Sequence, residues 1–161
     1  TGLPNRALFS DRLQSAITNA VRDKTGLALM FIDLDKFKPV NDTYGHGVGD
    51  LLLQDVAQRM LQCLRDSDTV ARIGGDEFVV LLRGANAIPE TLVVAEKIRS
   101  GLDRPFLLEG HTLQISCSIG VALFPEHGTD DITLAKNADL AMYRAKESGR
   151  NQVCIFEPEQ A

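Results

Sequence analysis

The sequence has no tryptophan, only three cysteines and no apolar run of membrane-spanning length. It also shows no secretory signal pattern. Cys63, Cys117 and Cys154 lack the spacing of a metal site, so we expect reduced thiols in a cytoplasmic protein. Acidic residues outnumber basic ones by 22 to 17, which argues against a general nucleic-acid surface. We therefore expect no nucleic acid and no membrane contact by this segment, although a longer parent protein could be membrane-anchored.

The overall amino-acid composition is that of an ordinary α/β protein. With 161 residues, of which 44% are hydrophobic and 24% charged, the chain can bury a substantial core. We interpret residues 1–161 as one domain. Residues 1–5 resemble the interior of a longer chain, so we expect a domain excised from a multidomain protein.

Helical and strand patterns follow one another along the chain without repeats. Residues 27–34 form an apolar run broken only by Asp33, which predicts a buried central strand. Amphipathic spacing predicts helices that open at Asn5 or Ser10 and end near Arg22, and then over residues 49–64, 89–102 and 131–148. Further strands are predicted at 69–73, 78–82, within 111–124 and at 153–156, with a glycine-rich loop at 43–49. This mixture predicts an α+β sandwich in which helices pack on a central, mostly antiparallel sheet.

The most informative segment is Gly74-Gly75-Asp76-Glu77-Phe78, which separates two predicted strands. A glycine pair in that position predicts a tight hairpin turn, because glycine adopts positive φ without steric cost. Asp76 and Glu77 are poor strand formers directly before a buried run. Residues that oppose the local structure without stabilising the fold often have a functional role, so we expect one for Asp76 and Glu77.

Asp33 lies near the carboxyl end of the predicted central strand, where ligands of α/β sheets usually bind. If that strand lies beside the hairpin, Asp33 meets Asp76 and Glu77. Three adjacent carboxylates do not all stay ionised without a cation. Hard oxygen ligands suit Mg²⁺ or Mn²⁺, which in turn attract phosphate oxygens.

The signature, preceded by Arg72 and Ile73, resembles the GGDEF motif of diguanylate cyclases. Four further blocks resemble segments of that family in the same order. They are residues 1–6 (its N-terminal segment), 31–38 (its metal-binding strand), 41–50 (its base-binding loop) and 138–151 (its C-terminal helix).

The resemblance implies condensation of two GTP molecules into cyclic di-GMP with release of two pyrophosphates. It implies a fold similar to the class III nucleotide cyclase domain and the polymerase palm. Asp33, Asp76, Glu77 and the backbone carbonyl of Leu34 would hold Mg²⁺ or Mn²⁺. Asp76 would also accept the proton of the ribose 3′-hydroxyl, a role that the sequence does not separate from metal binding.

The resemblance also assigns substrate contacts. Lys38 would act beside the phosphates during catalysis, and Lys146 and Arg150 would contact other phosphate oxygens. Cations at the end of a helix are also favoured by its dipole, so a structural role competes for that pair. The remaining predicted substrate residues are Gly74 and Gly75 in the signature and Asn41, His46 and Asp50 around the base.

Asn41 and Asp50 would read guanine, since a carboxylate accepts from N1–H and N2–H₂ and adenine lacks that donor pair. Asp50 at the start of a helix would also favour its first turn, so a structural role competes. Arg65 and Asp68 resemble the family's inhibitory product site, in which a further basic contact would come from Lys97 or Arg99.

Three functions compete at this point. The first is an active cyclase, which acts as a homodimer because one site holding one GTP does not close the ring. The second is a non-catalytic module that binds GTP or cyclic di-GMP and regulates an attached domain. The third is another metal-dependent nucleotidyl transferase without guanine preference, against which Asn41 and Asp50 argue.

Overall fold

The computed structural model describes residues 2–84 and 88–158. Its elements in chain order are α1 (Arg6–Asp23), β1 (Leu27–Asp35), α2 (Phe37–Tyr44), α3 (His46–Gln62), β2 (Thr69–Arg72), β3 (Glu77–Arg83), α4 (Ile88–Leu102), β4 (Phe106–Leu108), β5 (His111–Leu113), β6 (Ser116–Phe124), α5 (Asp131–Glu147) and β7 (Gln152–Ile155). None of these helices is both long and apolar enough to cross a membrane.

A five-stranded sheet in the order β2-β3-β1-β6-β7 forms the centre of the fold. All neighbouring strands are antiparallel except β6 and β7, which are parallel. The predicted mostly antiparallel sheet is therefore confirmed. The central strand β1 pairs with β3 on one side and with β6 on the other, so its end lies beside the β2–β3 hairpin.

Each face of the sheet has its own hydrophobic core. One core joins α2, α3 and α4 to the side chains of Met30 and Ile32 on β1. The other joins α1 and α5 to the alternate β1 side chains, Leu27 and Leu29. Because both faces are covered, β1 is apolar along nearly its whole length.

Helix α5 packs unusually close to the sheet at Gly120. A Cβ at this position would collide with the backbone of Ala138 and Met142, so only glycine lets the helix approach. This contact places the carboxyl end of α5 over the end of β1 and the start of β6.

A small β4–β5 hairpin lies apart from the main sheet. We expected one strand-rich region over 111–124, but it divides into β5 and β6. Arg59 of α3 holds the hairpin by donating to the carbonyls of Gly101, Arg104 and Pro105 at 2.7–2.9 Å. Its guanidinium also lies 3.4 Å from the ring centroid of Phe106. Such long-range contacts leave no local pattern in the sequence.

The structure decides between the two predicted starts of α1 and moves the start of α3. Asn5, rather than Ser10, begins α1, because its side chain accepts from the Leu8 backbone N–H at 3.0 Å. The predicted loop over 43–49 is wrong, since α2 continues to Tyr44 and α3 already begins at His46. The single residue Gly45, with φ of 91°, makes the turn between these helices.

Candidate active site

Three carboxylates gather at the end of β1. Asp33 pairs in register with Glu77 at the start of β3, and the Leu34 N–H donates to the carbonyl oxygen of Asp76 at 3.0 Å. Asp33, Asp76 and Glu77 each offer an oxygen within 4.8 Å of the others. The structure thus brings together the three acids that the sequence places at one site.

Asp33 is the buried member of this carboxylate cluster, with 5% of its surface exposed. Burial, reinforced by the negative charges of Asp76 and Glu77, raises its pKa to about 6 although Lys146 opposes the shift. Lys146 forms an ion pair with Asp33 from the last turn of α5. Three carboxylates thus face one ammonium, and their oxygen donor set fits a divalent cation.

The signature forms a hairpin loop between β2 and β3, as predicted. Gly74 and Gly75 do not have positive φ, and four residues separate Arg72 from Glu77. The positive φ predicted for the glycine pair is therefore wrong. The Arg72 guanidinium fills part of the loop by donating to the carbonyls of Gly74 and Gly75 at 2.9–3.2 Å. A Cβ on Gly75 would meet no atom within 4 Å, so the loop leaves open space beside Asp76.

Cationic side chains reach the same end of the sheet from two directions. Lys146 contacts Asp33, and Arg150, beyond the end of α5, lies with its Nε 3.9 Å from an oxygen of Asp35. Lys38 is exposed in the first turn of α2, shortly after β1. The predicted phosphate-binding cations therefore surround the end of β1.

The predicted base-reading residues lie where α2 meets α3. Asn41 is half-buried, and its buried Oδ1 has no hydrogen-bond partner among residues 2–84 and 88–158. A Cβ on Gly49 would collide with that oxygen, so glycine is needed for this close approach. His46 and Asp50 are exposed. Because α3 begins at His46, Asp50 lies beyond the first turn, which removes the competing structural role for its carboxylate.

Arg65 and Asp68 form an ion pair beside a separate pocket. Asp68 accepts from the Arg65 backbone N–H at 2.9 Å and from its guanidinium at 3.3 Å, while Arg65 also donates to the Arg83 carbonyl at 2.8 Å. The Asp68 side chain is only 3% exposed. The pocket has a volume of about 250 Å³ and is also lined by Cys63, Leu82, Gly84, Glu90, Thr91 and Val94.

Lys97 and Arg99 lie in different surroundings. Burial raises the pKa of the Cys63 thiol, and the positive charge of Lys97 partly opposes that shift, so Lys97 lies near a residue of the Arg65–Asp68 pocket. Arg99 instead forms an ion pair with Glu96 and donates to Asn151 Oδ1 at 2.7 Å. The two candidates therefore differ in their contacts, since Arg99 is already engaged with Glu96 and Asn151.

Another pocket, of about 510 Å³, lies at the opposite end of β1, between the end of α1 and the segment after β6. Its lining includes Ala20, Val21, Phe124 and Pro125 and contains none of the predicted site residues. Its two charged lining residues, Lys24 and Glu126, have opposite signs, so it lacks the cluster of positive charge that a triphosphate needs.

Sequence reasoning assigned no role to Asp35 or Arg72. Asp35 is 3% exposed and accepts hydrogen bonds from Ser116 and Ser118. A polar residue at the end of an apolar strand, two positions after Asp33 and hence on the same face, was the available signal. Arg72 had no comparable signal, because its role depends on the loop conformation.

This architecture, an α/β sandwich with acidic residues at the end of its central strand, is that of the GGDEF domain. The crystal structure of the GGDEF domain of TpbB from Pseudomonas aeruginosa matches with a TM-score of 0.94 and 43% identity, over 97% of this chain and 98% of that one. The family model described as diguanylate cyclase, GGDEF domain, matches residues 1–152. The chain belongs to this family, which confirms the resemblance seen in the sequence.

Curated relatives carry this segment within longer proteins. The bifunctional diguanylate cyclase/cyclic di-GMP phosphodiesterase MucR of Pseudomonas aeruginosa is 49% identical over 98% of this chain and 23% of its own length. The cyclic di-GMP phosphodiesterase PdeR of Escherichia coli is 46% identical over 99% of this chain and 24% of its own length. The chain therefore spans about a quarter of these two relatives.

Proposed function

We propose that this domain condenses two molecules of GTP into cyclic di-GMP and releases two pyrophosphates. The observation that carries the proposal is the cluster of Asp33, Asp76 and Glu77 at the end of β1, in a chain of the GGDEF family. In each half-reaction a ribose 3′-oxygen attacks an α-phosphorus, the bond to pyrophosphate breaks, and the hydroxyl proton passes to a base.

Asp33, Asp76 and Glu77 are the residues that would hold Mg²⁺ or Mn²⁺. The Leu34 side chain carries no ligand atom, so its backbone carbonyl would be the further ligand. A bound divalent cation would supply neutralisation of the triphosphate and stabilisation of charge at the α-phosphate. Asp76 is also the proposed proton acceptor, because it is half-buried at the loop that faces open space.

Lys146, Arg150 and Lys38 supply positive charge for the phosphates. Lys146 pairs with Asp33, and its ammonium becomes available to a phosphate oxygen once that carboxylate is engaged as a ligand. Arg150 can form bidentate hydrogen bonds with a phosphate, which a lysine cannot. Lys38 would act as a point charge from the first turn of α2.

Asn41 and Asp50 account for a preference for guanine. The exposed carboxylate of Asp50 can accept from the Watson–Crick edge of guanine, and Asn41 would contact the base once its Oδ1, which is packed against Gly49, rotates outward. Adenine would leave these acceptors unpaired, at a cost that rejects it strongly. His46, at the start of α3, is the neighbouring contact.

Catalysis by this proposal requires a homodimer with one GTP in each subunit. A ring of two nucleotides needs two attacks on two α-phosphates, and each site supplies the residues for one. We expect the isolated domain to dimerise weakly and to have low activity.

Arg65 and Asp68 are proposed to bind the product and inhibit the enzyme. Their pocket is separate from the carboxylate cluster, and arginine can pair with guanine O6 and N7. Between the two further candidates, the proximity of Lys97 to Cys63 favours Lys97, since Arg99 is engaged with Glu96 and Asn151.

A second candidate function is a regulatory module that binds GTP or cyclic di-GMP without turnover. The observation that favours it is the 46% identity to PdeR, whose name describes a phosphodiesterase rather than a cyclase. Against it, each catalytic position proposed above carries a side chain suited to its role.

The test is incubation of the purified domain with GTP and Mg²⁺ at increasing protein concentration, followed by chromatography of the nucleotides. Cyclic di-GMP produced at a rate steeper than first order in protein supports a dimeric cyclase. Tight binding of GTP without product, even after fusion to a dimerising segment, would establish the regulatory module instead. ATP serves as the control substrate and should give no cyclic product.

A further inference from the structure

Asp35 is a buried carboxylate that the proposed function assigns neither to the metal nor to the substrate. Ser116 Oγ donates to its Oδ2 at 2.7 Å, and Ser118 Oγ donates to its Oδ1 at 3.0 Å. Both serines lie on β6 and are themselves buried. These donors replace hydrogen bonds with water that the carboxylate loses on burial.

Asp35 also contacts the turn that follows α5. The Asn151 backbone N–H donates to Asp35 Oδ2 at 3.1 Å, and the Arg150 Nε lies 3.9 Å from Oδ1. Arg150 and Asn151 have φ of 62° and 48°, a left-handed conformation that residues other than glycine seldom adopt. Two such residues in succession persist only where surrounding contacts hold them.

Asn151 is held from two sides. Asp35 accepts from its backbone, while Arg99 of α4 donates to its side-chain oxygen at 2.7 Å. The backbone of the preceding residue, Arg150, is thereby fixed at its carboxyl side. Its amino side is fixed by the Arg150 N–H, which donates to the Ala145 carbonyl at 2.9 Å.

Asp33 and Asp35 share one face of β1, because side chains two residues apart in a strand point the same way. Lys146 pairs with Asp33 and Arg150 approaches Asp35, so both cations lie along this face. Arg150 is otherwise exposed, and its side chain would lose considerable rotational freedom on binding a phosphate. Because the fixed backbone and the nearby Asp35 carboxylate already restrict the Arg150 side chain in the free protein, less rotational freedom is lost on binding.

We infer that Asp35 is a positioning residue for triphosphate recognition, which acts through Arg150 and does not itself touch the nucleotide. This inference rests on the proposed function and deepens it, since it assigns part of the affinity for the phosphates to a buried carboxylate on β1.

The test is a double-mutant cycle with Asp35→Asn, Arg150→Ala and their combination. Calorimetry in Mg²⁺ buffer measures the affinity for a non-hydrolysable GTP analogue and for GMP. Each single variant should weaken binding of the GTP analogue by about three- to tenfold, the scale of one typical hydrogen bond, and change GMP affinity by less than about twofold. The combined variant should bind no more than about twofold more weakly than Arg150→Ala, because the two residues act as one unit.

Val121→Ala is the matched control for a loss of stability without a loss of positioning. Val121 lies on β6 opposite Met30 and Ile155, away from the turn, and its truncation should lower stability while leaving the ratio of the two affinities unchanged. Additive losses in the cycle, or equal losses for the GTP analogue and GMP, would overturn the inference. Failure of the unchanged protein to bind the GTP analogue would overturn the proposed function and this inference with it.

A second measurement decides the matter if Asp35→Asn does not fold. In the unchanged protein, the Nε–H resonance of Arg150, assigned by its disappearance in Arg150→Lys, should show restricted motion in NMR relaxation. Arg12, exposed on α1, provides the reference. An Arg150 side chain as mobile as that of Arg12 would contradict positioning by Asp35.

Discussion

Asp33 and Asp35 lie two residues apart at the end of β1 and are 5% and 3% exposed, yet their surroundings differ. Asp33 faces two further carboxylates and one ammonium, and its pKa is raised to about 6. Asp35 receives hydrogen bonds from two hydroxyls and one backbone N–H. Burial alone does not distinguish a ligand-binding acid from a supporting one. The two acids differ in how many hydrogen-bond donors the protein places around the carboxylate. A carboxylate with few donors remains available to a cation.

The largest expected effect comes from removing a member of the crowded cluster. Asp76→Ala should reduce cyclic di-GMP formation by about 10³-fold, the scale of losing an electrostatic group at a transition state. The metal-free protein should keep its stability, because one source of repulsion has gone. Chromatographic assays and urea denaturation measure the two effects, with the exposed Asp66→Ala as control. Full activity in the Asp76 variant would show that the site is assigned wrongly.

The two aspartates should respond oppositely to the same substitution. In EDTA near pH 7, Asp35→Asn should lower the free energy of unfolding by about 2 kcal/mol, since three donors lose a charged acceptor. Asp33→Asn should leave it unchanged or higher, because a neutral group avoids the cost of burying a charge and the repulsion from Asp76 and Glu77. Urea denaturation of the two variants measures the difference. Equal destabilisation by both would remove the contrast between them.

Asp68, whose side chain is buried, is a third acid in this comparison. Its carboxylate forms an ion pair with Arg65. Arg65→Ala should weaken inhibition by cyclic di-GMP by about tenfold and leave the initial rate nearly unchanged, because its pocket is separate from the carboxylate cluster. Initial rates at increasing product concentration measure this effect, with Arg12→Ala as the control. Inhibition of unchanged strength would show that the Arg65–Asp68 ion pair does not bind the product.

The last comparison is a pH dependence specific to Asp33. Its pKa rises from 3.8 to about 6 on folding, so the folded state favours the protonated carboxyl. The stability that this group contributes is complete below the lower value and is lost as pH rises through the higher one. Unfolding free energies of metal-free wild type, measured relative to Asp33→Asn from about pH 4 to about pH 7, should therefore fall and then level off. A flat difference would mean that the Asp33 pKa is not raised.

Local patterns predicted much of the fold correctly. The helices at 89–102 and 131–148, the central strand and the mostly antiparallel sheet all follow from apolar periodicity in the sequence. The loop at 43–49 was wrong because one left-handed glycine can join two helices. The φ values of Gly74 and Gly75 were wrong because Arg72 supports a wider loop through its side chain.

The sequence by itself determined the family and the identities of the three clustered acids, because the motif blocks are contiguous and occur in a recognisable order. Only the tertiary structure decided that Lys146 pairs with Asp33, that Asn151 donates to Asp35, and that Arg99 contacts Glu96 and Asn151. The first two contacts join residues 113 and 116 positions apart. Contacts at such separations depend on how α5 packs on the sheet, and no local periodicity records them.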